Sequence, residues 1–365
     1  MATIIDTCDN GVVVRQITEN EGLVSNIYCE RPYVSPDNRR FLYARRVGEE
    51  WEFVLCEFGS WRKEVVGRGA LGSAISYQGD YYYSRKATGG GLEFVRIDLN
   101  TGASEVRFEV ADGSRGAGHP TVSPDGRYLA FHRALSFDPQ RFGIFLVDRE
   151  SGACEVLHED PFVCNAHSQF DAGSGRTLLI QHNRGCEYRA DGTRVKLVGE
   201  EGATLFLLDV PSGAVTRLPI GKPYTPRLTG HEAWVGTSDD IIFTVNHGDS
   251  FDETRGNILF IRPGEDYRQY VPGVTMNHIG TTPCGRYFHG DGGEGGRIIV
   301  GSPRTGRWVE ICLSRTNHRR EFGQQGHPHA ALSPDFQWVV FNSDRTGQPE
   351  TYVVSVPAGL LEGLD

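Results

Sequence analysis

Apolar and polar residues alternate in short runs along most of the chain, as in RFLYARRV from Arg40, YLAFHRA from Tyr128 and WVVFNS from Trp338. A period of two is the signature of strands with one face buried, and helical periodicity is scarce. The runs are parted by turn residues, and one turn motif recurs: a small residue, Pro or a polar residue, Asp or Gly, then an aromatic or β-branched run. Its clearest copies are SPDNRRFLYA from Ser35, SPDGRYLAFH from Ser123 and SPDFQWVVFN from Ser333. Weaker copies start at Ser76, Asp171, Val235 and Thr282, so that seven copies in all lie roughly 40 to 65 residues apart, the spacing of propeller blades. A second turn follows in FVRIDLNTGASEV, IFLVDRESGACEV and LFLLDVPSGAVTRL, which completes four strands per repeat.

The expected fold is all-β: a seven-bladed β-propeller with four-stranded antiparallel blades, forming one domain over 1–365. The blades are expected at about 27–70, 71–114, 115–162, 163–224, 225–274, 275–322 and 323–360. An open row of blades leaves two exposed edges, which closure into a ring covers. Residues 11–18 (GVVVRQIT) read as a lone strand that closes the ring by pairing with TYVVSVP from Thr351. The repeat resembles TolB and WD40-like propellers, a likeness that speaks to fold and not to function.

Composition narrows the function. The 46 glycines and 18 prolines fit a turn-rich chain. A formal net charge of −10 argues against a nucleic-acid partner, but a local cluster of arginine and metal can still accept an acidic sugar. The first residues, MATIIDTCDNGVVV, show no secretory signal, and no apolar run is long enough to span a membrane. The eight cysteines are scattered without a C-x-x-C pair, which suits reduced thiols in a cytoplasmic protein.

The repeat register exposes the candidate chemistry. Four residues before each motif copy stand Arg31, Gly72, His119, His167, His231, His278 and His329. A lone histidine at a strand end is usually a surface or hydrogen-bonded residue. Five of the chain's twelve histidines in seven equivalent slots point instead to a functional channel mouth. In QQGHPHA, His327 and His329 are two apart in an extended segment and point the same way. With His278 from the preceding repeat and Gln324, they offer three imidazoles and an amide oxygen. That set suits a borderline divalent metal such as Mn, Fe, Ni or Zn. His231 shares the register one repeat further back and faces the metal across a substrate. His182 and Arg184, in QHNRG, read as substrate contacts or as a polar turn. His119 and His167, with Arg31, complete the ring as substrate-binding candidates, and the remaining histidines read as surface residues.

Several segments together resemble the oligogalacturonate lyases, a polysaccharide lyase family with a seven-bladed propeller. They are QQGHPHAALSPDFQWVVFNSDRTGQPETYVVSVP (324–357), GHEAW around His231, the NH-x3-T-x2-G pattern around His278, and AHSQFDAGSGRTLLIQHNRG (166–185). The resemblance covers the C-terminal half; before residue 160 it is little more than the repeat. It implies a divalent metal, usually Mn2+, on His278, Gln324, His327 and His329, and proton abstraction by His231. One departure stands out. The family places an arginine beside the catalytic histidine, and the matching position here is Thr204, near an insertion after HNRG. The role is expected to pass to Arg184, with Arg189 and Arg227 as alternatives.

The implied activity is β-elimination at a 4-linked uronic acid, with an acidic oligosaccharide as substrate and an unsaturated uronate as product. The C5 proton lies α to a carboxylate, and metal coordination of that carboxylate stabilises the charge left when the proton departs. A neutral imidazole is a suitable base. Two other classes compete: a metal-dependent sugar hydrolase or isomerase on the same ring, and a non-catalytic propeller scaffold. Neither an unsaturated product nor a metal, respectively, is expected of them.

Overall fold

The protein is described from a computed structural model that covers residues 2–28, 30, 33–76, 78–113, 116–246, 255–293 and 295–365. It is built almost wholly of antiparallel strands; the one helical element among the described residues is a short 3-10 segment, Arg320–Gly326. Four sheets have four strands each in simple meander order, with inner strands Gly118–Val122, Gln169–Phe170, Arg227–Trp234 and His278–Thr281. A seven-stranded sheet precedes them, running from Val24–Asn26 to Ser104–Val110. Its long strand Lys63–Ser76 serves two ladders. Lys63 to Gly69 pair with Trp51 to Cys56, whereas Ala70 to Ser76 pair with Asp80 to Ser84 across a register shift. A five-stranded sheet joins the chain's two ends: Val13–Gln16 pairs with Tyr352 to Ser355, and Thr3–Thr7 adds a further strand outside it. A separate hairpin, Glu187–Tyr188 with Arg194–Lys196, stands apart from these sheets.

The recurrent turns have one physical cause. In the three SPD copies the serine hydroxyl donates to the aspartate two residues on, at 2.6, 2.5 and 2.6 Å. The same hydroxyl accepts the N–H of Arg40, Tyr128 or Trp338, the first residue after the turn, at 2.9, 2.9 and 3.0 Å. The residue before the basic or polar i+4 position then takes a left-handed φ: 59° at Asn38, 67° at Gly126 and 64° at Phe336. Local side-chain hydrogen bonds of this type reverse the chain reliably. Between sheets, large side chains fill the space; Tyr33, Phe41, Phe53 and Tyr81 of the first sheet pack with Val340 and Val353 of the last. No helix among the described residues is long and apolar enough to cross a membrane.

Val14 on the 13–16 strand is wholly buried among Tyr287, Ile298, Phe341 and Tyr352. Val14→Asp would bury a carboxylate with no partner there, and the expected cost is about 4 kcal/mol or more. A thermal melt should show a sharply lowered midpoint. An unchanged midpoint would mean that this strand is not integral to the fold.

Candidate metal centre and active site

The inner strands bring the register histidines together at one end of the sheets. His231 and His278 have ring centroids 4.5 Å apart, His278 and His329 4.2 Å, and His119 and His167 4.4 Å. His278, His327 and His329 each offer a ring nitrogen within 4.8 Å of the others. Nε2 of His278 lies 3.4 Å from Nδ1 of His327, and Nε2 of His329 lies 3.2 Å from Oε1 of Gln324. This donor set fits a divalent ion by its chemistry: three imidazole nitrogens converge within 4.8 Å of one another, with the Gln324 amide oxygen beside them. Three nitrogens and one amide oxygen are also borderline ligands, matched to Mn, Fe, Ni or Zn.

The supporting residues fix how the ligands present themselves. Asp291 stands directly opposite His278 in the sheet, and its Oδ2 is 2.9 Å from His278 Nδ1. A carboxylate on Nδ1 draws the proton there and leaves the Nε2 lone pair toward His327 and His329. The backbone of the HPH segment is held on three sides. Asn26 donates to the carbonyls of Pro328 and His329, both at 2.9 Å, Asn342 N donates to Pro328 O at 2.9 Å, and His289 Nδ1 donates to Ala330 O at 3.0 Å. Gln324 sits on the 3-10 segment, whose last residue, Gly326, has its carbonyl 2.6 Å from Thr316 Oγ1; the same hydroxyl is 2.8 Å from Oδ1 of buried Asp344, and its single proton is shared between these two acceptors. Burial, then the neighbouring His278, push His327 down to about 4 and His329 well below the ordinary histidine range. Both rings are therefore neutral at physiological pH, the state that a metal requires of a ligand.

His231 lies beside this group on Arg227–Trp234, just after Gly230, which adopts a φ of 94°. Its Nδ1 is 3.3 Å from Thr229 Oγ1, and the Thr229 hydroxyl donates to Thr244 O at 3.2 Å. Enclosure, then the adjoining His278, His167 and His327, hold its ring well below the usual histidine value. Tyr28, which the sequence did not single out, projects among the histidines, with its ring 4.6 Å from His329, 5.9 Å from His167, 6.0 Å from His278 and 6.3 Å from His231. A cavity of about 570 Å³ opens here; Tyr28, Glu30, His119, His167, Gln324 and His329 are in its wall. Three of the register histidines carry a left-handed backbone, φ 41° at His119, 43° at His167 and 42° at His329. Such conformations are costly for residues with a Cβ and gather at functional sites.

Some expected site residues have other work. Arg31 lies outside the described residues. His182 is buried with Nε2 2.9 Å from Asp160 Oδ1 and its ring against Phe162 and Phe206, so it is a core hydrogen-bond partner and not a substrate contact. Arg184 does not stand beside His231 as a catalytic arginine. Its guanidinium donates to the carbonyls of Gly202 at 3.0 Å, Lys222 at 2.8 Å and Glu201 at 2.8 Å, which commits the fork to bracing that loop. His289, taken as a surface residue, is 3 % exposed and braces the HPH strand. Thr204 is buried with its hydroxyl on Ile220 O. Among the described residues, the arginine in the cavity wall is Arg194, from the hairpin within the insertion; Arg184, Arg189 and Arg227 are not in that wall. Among the described acidic residues none forms an ion pair with Arg194, whose side chain is exposed.

No family model matches the chain. Two curated relatives match along nearly its whole length. An oligogalacturonate lyase of Dickeya dadantii (strain 3937) is 21% identical, over 95% of this chain and 94% of the relative. An oligogalacturonide lyase of Pectobacterium atrosepticum is 24% identical, over 91% of each. Two solved structures share the fold: the oligogalacturonate lyase of Vibrio parahaemolyticus, with a TM-score of 0.74 at 17% identity over 98% and 97% of the two chains, and an oligogalacturonate lyase in complex with manganese, with a TM-score of 0.73 at 18% identity over 98% and 96%. The chain is thus similar to oligogalacturonate lyases from end to end, well beyond the C-terminal half in which the motifs are legible. Its fold is all-β and of their propeller-like kind.

Proposed function

We propose that the chain is a metal-dependent lyase that cleaves a 4-linked uronic acid oligosaccharide, of oligogalacturonate type, by β-elimination. The observation that carries this reading is the convergence of His278, His327 and His329 within 4.8 Å, with Gln324 on His329 and His231 alongside. The likeness to lyases, one of them solved with manganese, supports it and favours Mn2+. The scaffold of this reading is a ring of seven four-stranded blades, with Lys63–Ser76 shared between two of them and the 11–18 segment closing the last.

A divalent metal held by His278, Gln324, His327 and His329 would supply Lewis acidity at the uronate carboxylate, which acidifies the C5 proton. His231 takes that proton on Nε2, because its Nδ1–H donates to Thr229 Oγ1. The electron pair forms the C4–C5 double bond and the 4-linked oxygen departs. Enclosure in the channel keeps His231 neutral and able to act as a base. Arg194 takes the role expected of Arg184, for which Thr204 offers no charge: it reaches the cavity from the 187–196 hairpin and binds a substrate carboxylate.

The decisive experiment incubates manganese-loaded protein with a panel of uronic acid oligosaccharides and follows the ultraviolet absorbance of the conjugated product. Absorbance growing with one class of uronate is expected; none with any uronate, or release of sugar without absorbance, would overturn the lyase reading. Arg194→Ala should raise KM by about 10- to 100-fold with kcat little changed, since a hydrogen bond to a charged group contributes about 1.5–3 kcal/mol. Steady-state kinetics on the same substrate checks this, and an unaltered KM would remove Arg194 from the substrate site.

A further inference from the structure

His167 and His231 stand on successive inner segments, but their surroundings are opposite in sign. His231 is ringed by other imidazoles, namely His278, His167 and His327. His167 turns its Nδ1 edge to two carboxylates, 3.4 Å from Glu30 Oε1 and 3.8 Å from Glu232 Oε1. Both acids are buried, Glu232 completely and Glu30 at 5 % exposure. Neither oxygen of Glu232, nor Oε1 of Glu30, has a hydrogen-bond partner among the described residues. Gln169 holds the pair in place, its Nε2 donating to Glu30 Oε2 at 3.3 Å and to the Glu232 carbonyl at 2.8 Å. Sinking two carboxyl groups together is costly unless a proton or a positive charge lies between them.

Among the described residues, the ring placed beside both acids to carry that charge is His167. His119 accepts the His167 backbone N–H on its Nδ1 at 3.2 Å, so that nitrogen bears no proton. His132, which packs on His119, is pushed down to about 4 by burial and then by the charge of His167 itself. Tyr28 brings no charge, and His231 is held neutral as described above. Burial raises Glu232 to about 8, against the pull of His167, which leaves that carboxyl able to hold a proton at neutral pH beside the ring. Nδ1 of His167 is buried, and the residue is part of the cavity wall. Opposed environments on two titratable groups in one site are the usual mark of a paired acid and base.

We infer that His167 is the general acid of the elimination, protonating the departing 4-linked oxygen from Nε2, with Glu30 and Glu232 as positioning residues that hold the charge on its ring. The inference rests on the lyase reading. In the step, His231 takes the C5 proton and the C5–H electron pair becomes the C4–C5 double bond. The C4–O4 bond breaks with its electrons on oxygen, and that oxygen takes the His167 proton. His167 ends neutral and His231 protonated, and exchange with water and Glu232 restores both.

The test compares two leaving groups on manganese-loaded protein: a 4-linked uronate disaccharide, whose alkoxide needs a proton, and a 4-O-nitrophenyl uronate, whose phenolate does not. His167→Gln should lose about 10²- to 10⁴-fold on the disaccharide and less than about tenfold on the aryl substrate. Glu30→Gln, which keeps the shape of the site, should lose activity in the same selective way. It should also move the alkaline limb of the disaccharide pH profile to lower pH, because a carboxylate lost from beside an imidazolium lets its proton go sooner. An equal loss on both substrates, or no loss, would overturn the acid role while leaving the lyase standing. If the unaltered protein eliminates neither leaving group, the lyase reading itself fails.

Discussion

His327→Ala is expected to lower bound manganese from one ion per chain to near zero while the protein keeps its fold. Altering a residue behind a ligand costs about 10- to 100-fold in metal affinity, and removing a ligand costs more. His327 is the most informative of the four positions. It is only half-buried, whereas His278 and His329 are at 1 % and 3 % exposure and help to fill the interior. His278 also holds Asp291 by a hydrogen bond, so its replacement would leave a buried carboxyl without that partner and confound affinity with stability. Elemental analysis and a calorimetric titration read the affinity, and a thermal melt without metal reads the fold. The metal-free variant should melt close to the metal-free parent, because the sheets are held by apolar clusters such as that of Tyr287, Phe341 and Tyr352. The parent should gain stability on loading by mass action, and the variant should not. Manganese bound by His327→Ala with unchanged affinity would disprove the assignment.

What could be read along the chain was set by how locally each feature is encoded. The SPD turns are legible because serine, aspartate and a left-handed residue solve the reversal within six positions, as at Ser123, Asp125 and Gly126. The repeat then carries the register, and the register carries His119, His167, His231, His278 and His329. The second layer of the site is not encoded that way. Asp291 and His289 reach His278 and Ala330 only through strand pairing and neighbouring sheets, and neither falls at a repeat-equivalent slot. Tyr28 and Glu30 come from the segment just after the first inner strand, where the motif offers Arg31 and no signal for its neighbours. The QHNRG segment was legible as polar but not as to purpose. His182 turned inward to Asp160, and Arg184 turned to three carbonyls that no spacing rule connects to it. Arg194 lies in an insertion outside the repeat, so periodicity could not find it. The hairpin is docked by Tyr188, which stacks on Phe137 at 5.5 Å and whose N–H donates to Gln140 at 2.8 Å.

Chemistry separates from binding at His231. Replacing it with alanine should reduce elimination by about 10²- to 10⁴-fold, the usual cost of a lost general base, and leave metal content and melting temperature nearly unchanged. The hydrogen bonds around it explain why a base and not a ligand is expected. Thr229 spends its hydroxyl proton on Thr244, whose own hydroxyl donates to Asn277 O at 3.3 Å, so Thr229 Oγ1 accepts from His231 Nδ1–H. The Nε2 lone pair is then available for the C5 proton. Among the described residues, the cluster whose nitrogens fall within 4.8 Å of one another comprises His278, His327 and His329, without His231. Thr229→Val offers a finer measure: it removes the acceptor that fixes the tautomer while keeping the imidazole, and a loss of roughly tenfold in kcat with metal affinity intact is expected. Both variants are read by product absorbance and by elemental analysis on the same preparation. If His231→Ala empties the metal site, His231 is a ligand and the base must be another histidine of the ring. If metal and activity both survive, proton abstraction at this position is wrong, and the lyase mechanism with it.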